Sequence, residues 1–430
     1  MDKKTDPLSA SYPERRVARK TYQIVAWLIW VAHFVFIARQ KVFVRRRPGL
    51  DFDTLDTYAL VDVFVASFLA LVLLCNGKTF QFLSRAYKSS VFWLLAYYVI
   101  CALSAVWSSR PAYSLYRSIE FAIFFISLAV AISYSSGFKQ AERRVLLLSL
   151  LSVFVQMGIH MTGGNLFSLW TWHTNAYTAS AAMIFVYCAG EYLALGEKKL
   201  SVDRERKKVL LTYGCLSLPL LALGTSSASN VAVLFGMIVI LLVQRKIALT
   251  MIIIYVIIIY ASLSFFLLGG GLDSLLNVVF PFKTEQGILT YGGRVAIWKF
   301  YAARIAESPI WGYGLGVLPT KGARVMASLS HNFVFSILIG TGFLGFTIFL
   351  VFAVKLALEV TRSLKRKTDG ATGVLGALAA GFVNSLSMPM IADRWVTASF
   401  AFFSIYALFI LYVYPSSFKS PKSLSSDGAA

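Results

Sequence analysis

Long apolar runs broken by short polar connections occupy the chain from residue 21 to residue 414. A hydrocarbon layer about 30 Å thick needs about 20 apolar residues per helix and tolerates no unpaired lipid-facing backbone. The runs therefore predict an all-α polytopic membrane protein. About twelve transmembrane helices are expected, at 21–38, 57–75, 91–107, 118–136, 145–161, 175–194, 209–224, 228–243, 247–269, 333–358, 371–389 and 395–414. Residues 1–20 read as a retained cytoplasmic tail, 21–414 as one transmembrane domain, and 415–430 as a Ser/Lys/Pro-rich tail without fixed structure.

Composition sharpens this picture. The 430 residues are 58% hydrophobic and only 14% charged, which excludes an ordinary soluble domain. A formal net charge of +21 would suggest nucleic acid in a soluble protein. In an apolar chain it is first a topology signal and then a signal for anionic lipid, so we read no nucleic-acid partner. With the N-terminus inside, the inner connections carry 26 Lys/Arg and the short outer loops eight, which predicts cytoplasmic termini. The Arg45–Arg47 run works against that orientation. Cys75, Cys101, Cys188 and Cys215 show no metal-ligand spacing, and no cofactor is expected.

The long connection 270–330 then faces outward and carries short amphipathic structure. From Tyr291 to Gly345 the chain is charged and Gly-rich. Arg294, Trp298, Tyr301 and Ile305 share one helical face before Pro309, and Arg304 adds a cation. That face suits either an interfacial helix anchored among headgroups or a substrate site. Gly312-Tyr-Gly314-Leu-Gly316 lacks the spacing of a nucleotide loop and reads as a turn back to the membrane. His331-Asn332 opens the next apolar helix after Ser328 and Ser330. A Ser cap there sets the imidazole at the positive end of a helix dipole, which favours a neutral ring able to accept a proton or simply to hold a polar interface.

Other polar patches fall on the same outer side. In Trp107–Glu120, Arg117 and Glu120 stand one turn apart, forming either a local ion pair or a guanidinium offered to an anion, with Arg110 nearby. Trp172-His173-Thr-Asn175 is a belt anchor or a sugar-facing rim. Asp51-Phe-Asp53 has the D-x-D form of a metal-assisted glycosyl-phosphate site, but neighbouring arginines offer simpler partners, and we read no metal site.

Three segments together resemble the O-antigen ligase and Wzy-type polysaccharide polymerase superfamily. They are Trp-Ser-x-x-Pro-x-x-Ser-x-x-Arg from Trp107 to Arg117, Gly-Arg-x-x-x-Trp with Ser-Pro-x-x-Gly-x-Gly from Gly293 to Gly314, and His-Asn-x9-Gly-x-x-Gly from His331 to Gly345. The resemblance implies a GT-C-like helical fold in the bacterial inner membrane and metal-independent, periplasmic transfer from an undecaprenyl-diphosphate-linked oligosaccharide. Membrane lipids and polysaccharide export or chain-length machinery are the further partners it implies. By position Arg294 and His331 correspond to the family's catalytic arginine and histidine. Trp298, Arg304, Arg110, Asn332, His173 and Asn175 are candidate substrate contacts. The family commonly carries a cation after the seventh helix, where this chain reads Gly224-Thr-Ser-Ser-Ala-Ser229; Arg117 and Arg394 are the candidate substitutes.

Three functions fit: a polymerase of lipid-linked repeat units, a ligase moving finished glycan to lipid A-core or another acceptor, and a flippase for the same lipid. A flippase should carry ionisable groups near the midplane, whereas Asp62, Glu120 and Glu191 fall toward helix ends, so a one-sided enzyme is favoured. The modest outer loop and the lack of an appended domain lean toward polymerase.

Overall fold

A computed structural model describes residues 12–42, 57–162, 175–196, 204–224, 226–245, 294–317, 331–391 and 395–416. All regular structure among them is helical. In chain order the helices are α1 Tyr12–Val42, α2 Thr57–Leu74, α3 Gly77–Ala86, α4 Ser90–Leu103, α5 Pro111–Ser133, α6 Phe138–Thr162, α7 Asn175–Gly196, α8 Arg204–Gly224 and α9 Ser227–Val243. They continue with α10 Arg294–Glu307, α11 Phe333–Lys365, α12 Ala371–Ser385 and α13 Thr397–Leu408, the last extended through a π turn to residue 416.

Eleven of the twelve expected apolar stretches coincide with helices, and 247–269 lies outside the described residues. Among the described residues, three helices are individually long and apolar enough to cross a membrane: Pro111–Ser133, Tyr177–Gly196 and Phe333–Lys365. The bent pair α2–α3 can act as a fourth, and the other apolar helices are shorter. Several boundaries move for local reasons. Helix α5 starts at Pro111 rather than 118, because proline at the first helical position has no amide that needs a partner. Helix α1 starts at Tyr12, inside the expected tail, and α3 occupies what read as a plain connection.

The core is aromatic. Trp395 stacks on Phe403 at 5.1 Å and packs against Phe121, Phe124 and the His33 ring, joining α1, α5 and α13. Helix α12 approaches α7 and α9 through glycines: a Cβ on Gly373 would meet the Tyr187 carbonyl at 2.7 Å, and one on Gly376 the Val186 side chain at 2.7 Å. Small residues allow such close axes where no hydrophobic drive exists between lipid-bathed helices.

Buried carboxylates fasten the ends remote from His331. Glu191 on α7 accepts from Gly370 N at 2.9 Å and Gly373 N at 2.8 Å, capping α12 from a neighbouring helix. Glu359 on α11 does the same for α4, accepting from Ser90 N at 2.9 Å and its hydroxyl at 2.6 Å. Arg206 bridges Glu142 at 2.6 Å and Glu191 at 2.7 Å, and Tyr187 donates to Glu142 at 2.8 Å. These charges are buried, so each depends on its partners for the solvation that water no longer supplies.

Replacing Arg206 by Met should therefore cost roughly 3–5 kcal/mol by leaving two buried carboxylates without their cation. Thermal melting of purified protein tests it, and adding Glu142→Gln should recover part of the loss.

Candidate functional site

The expected helix 333–358 is not continuous. Helix α11 breaks at Gly342, whose φ of 63° and ψ of −162° are open essentially to glycine alone. The segment 343–365 is about 34 Å long at 1.5 Å per residue, enough to cross a bilayer without the first turns. A break exposes carbonyls on one side and amides on the other. Here the loop 308–317 supplies both partners. Tyr313 N donates to Ile339 O at 2.7 Å and Gly314 N to Gly340 O at 2.8 Å. In return Phe343 N donates to Pro309 O at 2.7 Å and Leu344 N to Ile310 O at 3.3 Å.

The loop expected as a simple turn is thus a plug in a broken helix. Its glycines follow from the closeness of the fit. Gly312 has φ 67°, and a Cβ there would meet Gly340 C at 2.7 Å. A Cβ on Gly342 would fall on the Ile310 carbonyl.

The corner between α4 and α5 grips the other side of the plug. Trp107 Nε1 donates to Trp311 O at 2.9 Å, with the two indoles edge-on at 5.3 Å. Leu315 N donates to Ser104 Oγ at 3.2 Å, while Ser108 and Ser114 share a hydrogen bond at 2.9 Å beneath Gly314. Tyr113 lies against Gly316. All three motif segments therefore meet at one place.

Helix α10 does not lie loose in an interface. Trp298 stacks on Phe335 at 6.1 Å, Tyr301 meets the same ring at 6.5 Å, and Tyr301, Ile305 and Ile339 form a small core. Residue numbers rise together across this contact, so α10 and the first part of α11 run in the same direction. Arg294 precedes Trp298 by one turn, and His331 precedes Phe335 by the same four residues. Both helix N-termini, with Arg294 and His331, accordingly face one end. Arg294 is half-buried, and burial lowers its pKa from the ordinary guanidinium value. A guanidinium is so basic that it still carries its charge at neutral pH.

His331 stands in the left-handed region with φ 51°. The cap of α11 is Asn332, whose Oδ1 accepts from Val334 N at 2.9 Å, in place of the expected serine; Ser328 and Ser330 lie outside the described residues. Arg304 pairs with exposed Glu307 at 2.8 Å, and Tyr313 donates to both Glu307 Oε2 at 3.0 Å and Arg304 O at 3.1 Å, tying the plug to α10. Hydrogen bonds from Arg304 and then Tyr313 hold the Glu307 carboxyl below its usual pKa. Arg117 is buried, bonds Glu120 at 2.6 Å and lies between the Tyr113 and Tyr116 rings, so its charge is countered inside the protein. Arg110 starts α5, with its backbone N bonded to Ser108 Oγ at 3.1 Å. Asn175 begins α7. His173, Arg394, Asp51 and Asp53 lie outside the described residues, as does the side chain of Asn175.

Sequence reasoning missed the surroundings of Ser227. At the start of α9, Ser229 Oγ lies within hydrogen-bond distance of Thr178 at 3.0 Å, Ser226 at 3.2 Å and Asn384 Oδ1 at 3.1 Å. The hydroxyls and the amide are buried, and the Ser227 hydroxyl and Asn384 Nδ2 find no partner among the described residues. The Ser run was the available signal; Asn384, far along the chain, had none.

Gly312→Ala and Gly342→Ala should each destabilise the protein by upwards of about 2 kcal/mol, since positive φ alone costs about 1–2 kcal/mol for a residue with a Cβ. Gly77→Ala, where a Cβ meets nothing within 4 Å, is the control and should melt like the parent. Acidification through the lowered Glu307 pKa should remove its contribution to holding the plug, which is fully present above the ordinary carboxylate pKa. Tryptophan fluorescence should change as that contribution is lost on the acid side, and a Glu307→Gln variant should lose the part of the change that Glu307 causes.

No curated protein matches the chain. Residues 213–350 match the family model Wzy_C, described as O-antigen ligase. The matched stretch contains the serine cluster, Arg294, the plug, His331 and the break at Gly342. It supports placing the chain in the O-antigen ligase/Wzy superfamily.

Proposed function

We propose that the protein is a membrane glycosyltransferase that moves a glycan from a polyprenyl-diphosphate carrier onto a sugar hydroxyl, polymerising lipid-linked repeat units at the periplasmic face. The observation that carries this reading is the parallel setting of α10 and α11, which turns two positive helix ends, Arg294 and His331 toward one end. Such an end suits an anion.

In this reading Arg294 faces the diphosphate. The bond between the anomeric carbon and the diphosphate oxygen breaks, and the electron pair leaves on that oxygen, where a fixed cation in a poorly screened setting stabilises it. The acceptor hydroxyl oxygen forms the new bond from the opposite face, giving inversion, and its proton passes to His331. The left-handed φ of His331 supports this role, because strain of that kind collects at functional positions. Trp298 and Asn332 lie within a turn of that end, whereas Arg304, in the last turn of α10, and Arg110, ahead of α5, lie beside the plug and would meet a more distant part of the glycan. The uncharged cluster at Ser227 and Asn384 takes the place of the family's additional cation. Arg394, His173 and Asn175 complete the proposed substrate contacts. Arg117 contributes less than a lone guanidinium would, because Glu120 already counters it.

A second reading, transfer of finished glycan to lipid A-core or another acceptor, is favoured by the description of the matched family as O-antigen ligase. Surface glycan of a deletion strain separates the two. Single repeat units retained without polymer indicate a polymerase, and polymer accumulating on its lipid carrier indicates a ligase.

Arg294→Ala and His331→Ala should each abolish turnover of a lipid-diphosphate glycan by purified protein while leaving its melting temperature unchanged. Near-normal turnover in either would remove that residue from the mechanism. Activity should persist in excess EDTA, and loss there would return attention to Asp51 and Asp53.

A further inference from the structure

Helix α3 turns 86° from the axis of α2 after Asn76, whose side chain caps it by accepting from Lys78 N at 3.1 Å. If α2 crosses the bilayer, α3 runs along its surface. Its residues divide into three faces at helical spacing. Thr79, Phe82 and Ala86 are buried against the bundle. Phe80 and Tyr87, seven residues apart, share a second face and are 61% and 62% exposed. Gln81 and Arg85 form a third, also exposed, which exposed Lys88 in the turn after the helix extends. From residue 76 to 90 there is no Asp or Glu.

The helix is held firmly in this attitude. Lys78 Nζ donates to Ser133 O at 3.0 Å and sits 4.2 Å from the Tyr134 ring, while Asn76 bonds the Tyr134 hydroxyl at 2.6 Å. Tyr134 in turn stacks on Tyr22 of α1 at 5.3 Å. The start of α3 is thus locked to α1 and α5, which leaves the aromatic and basic faces pointing away from the protein.

We infer that α3 is an in-plane seat for anionic phospholipid, with Phe80 and Tyr87 dipping into the acyl boundary and Arg85 and Lys88 meeting headgroup phosphates. An exposed aromatic face beside an exposed basic face, with no acid between, is complementary to a negatively charged bilayer surface and to its apolar layer beneath. An acidic protein partner would have to cover Phe80 and Tyr87 with its own apolar surface; a membrane already running beside α2 supplies that layer without further folding. This seat does not depend on the transfer reaction proposed above.

The test uses the full chain in vesicles, with Cys75 and Cys215, the two exposed cysteines, replaced by Ser. Spin labels at Phe80→Cys and Tyr87→Cys should be relaxed more by oxygen than by a water-soluble nickel chelate, and labels at Gln81→Cys and Lys88→Cys the reverse. In nanodiscs mixing phosphatidylglycerol with phosphatidylcholine, the protein should retain the anionic lipid preferentially. Arg85→Gln/Lys88→Gln should weaken that preference by at least roughly tenfold, since each basic group near such a surface contributes about a factor of five. Nickel-accessible labels at 80 and 87 would overturn the inference, as would an unchanged lipid preference in the double variant.

Discussion

The break in α11 can exist inside a membrane protein because another piece of its own backbone completes it. Four hydrogen bonds between 309–314 and 339–344 replace those a continuous helix would make. The groups on both sides of the break are largely buried, and buried peptide groups left unpaired would be costly, so helix and loop must form together. The consequence reaches outward in both directions. The plug fixes the last turn of α10 through Tyr313, and α10 fixes the first turns of α11 through Phe335. The directions of both helix N-termini follow from those contacts.

The opposite end of the bundle is built by different means. There, charged side chains from one helix satisfy the backbone of another: Glu191 for α12, Glu359 for α4, with Arg206 compensating two carboxylates at once. A buried pair adds little net stability over apolar packing, but a broken one is expensive, so such contacts chiefly penalise wrong arrangements. One end is thus held by side-chain charge on backbone amides, while at the other the buried pair Arg117–Glu120 lies behind Arg294 and Arg304, which are only partly buried.

Residue types at the candidate site divide by what holds them. Trp107, Ser108, Ser114 and Gly312 belong to motif segments, yet their visible contacts position the plug. Arg117 is similarly engaged, with Glu120. Arg294 and His331 stand at the starts of the two helices that this scaffolding aligns. The resemblance in sequence therefore mixes residues that shape the end of the bundle with residues proposed to act there.

The sequence by itself determined the helical class and most helix positions, because apolar runs of this length have few other ways to satisfy their backbone in lipid. It also marked Arg294 and His331 as polar exceptions in an apolar chain, and the pairing of Arg117 with Glu120 was readable from a spacing of three residues. What it could not decide were contacts between distant segments. The plug, the shared direction of α10 and α11, the meeting of Asn384 with Ser229, and the Glu142–Arg206–Glu191 group join residues tens to hundreds of positions apart, and no local period encodes them. Gly342 stands in the sequence as a motif glycine, but inside an expected continuous helix; only the carbonyl of Ile310 lying against it explains why the helix breaks there.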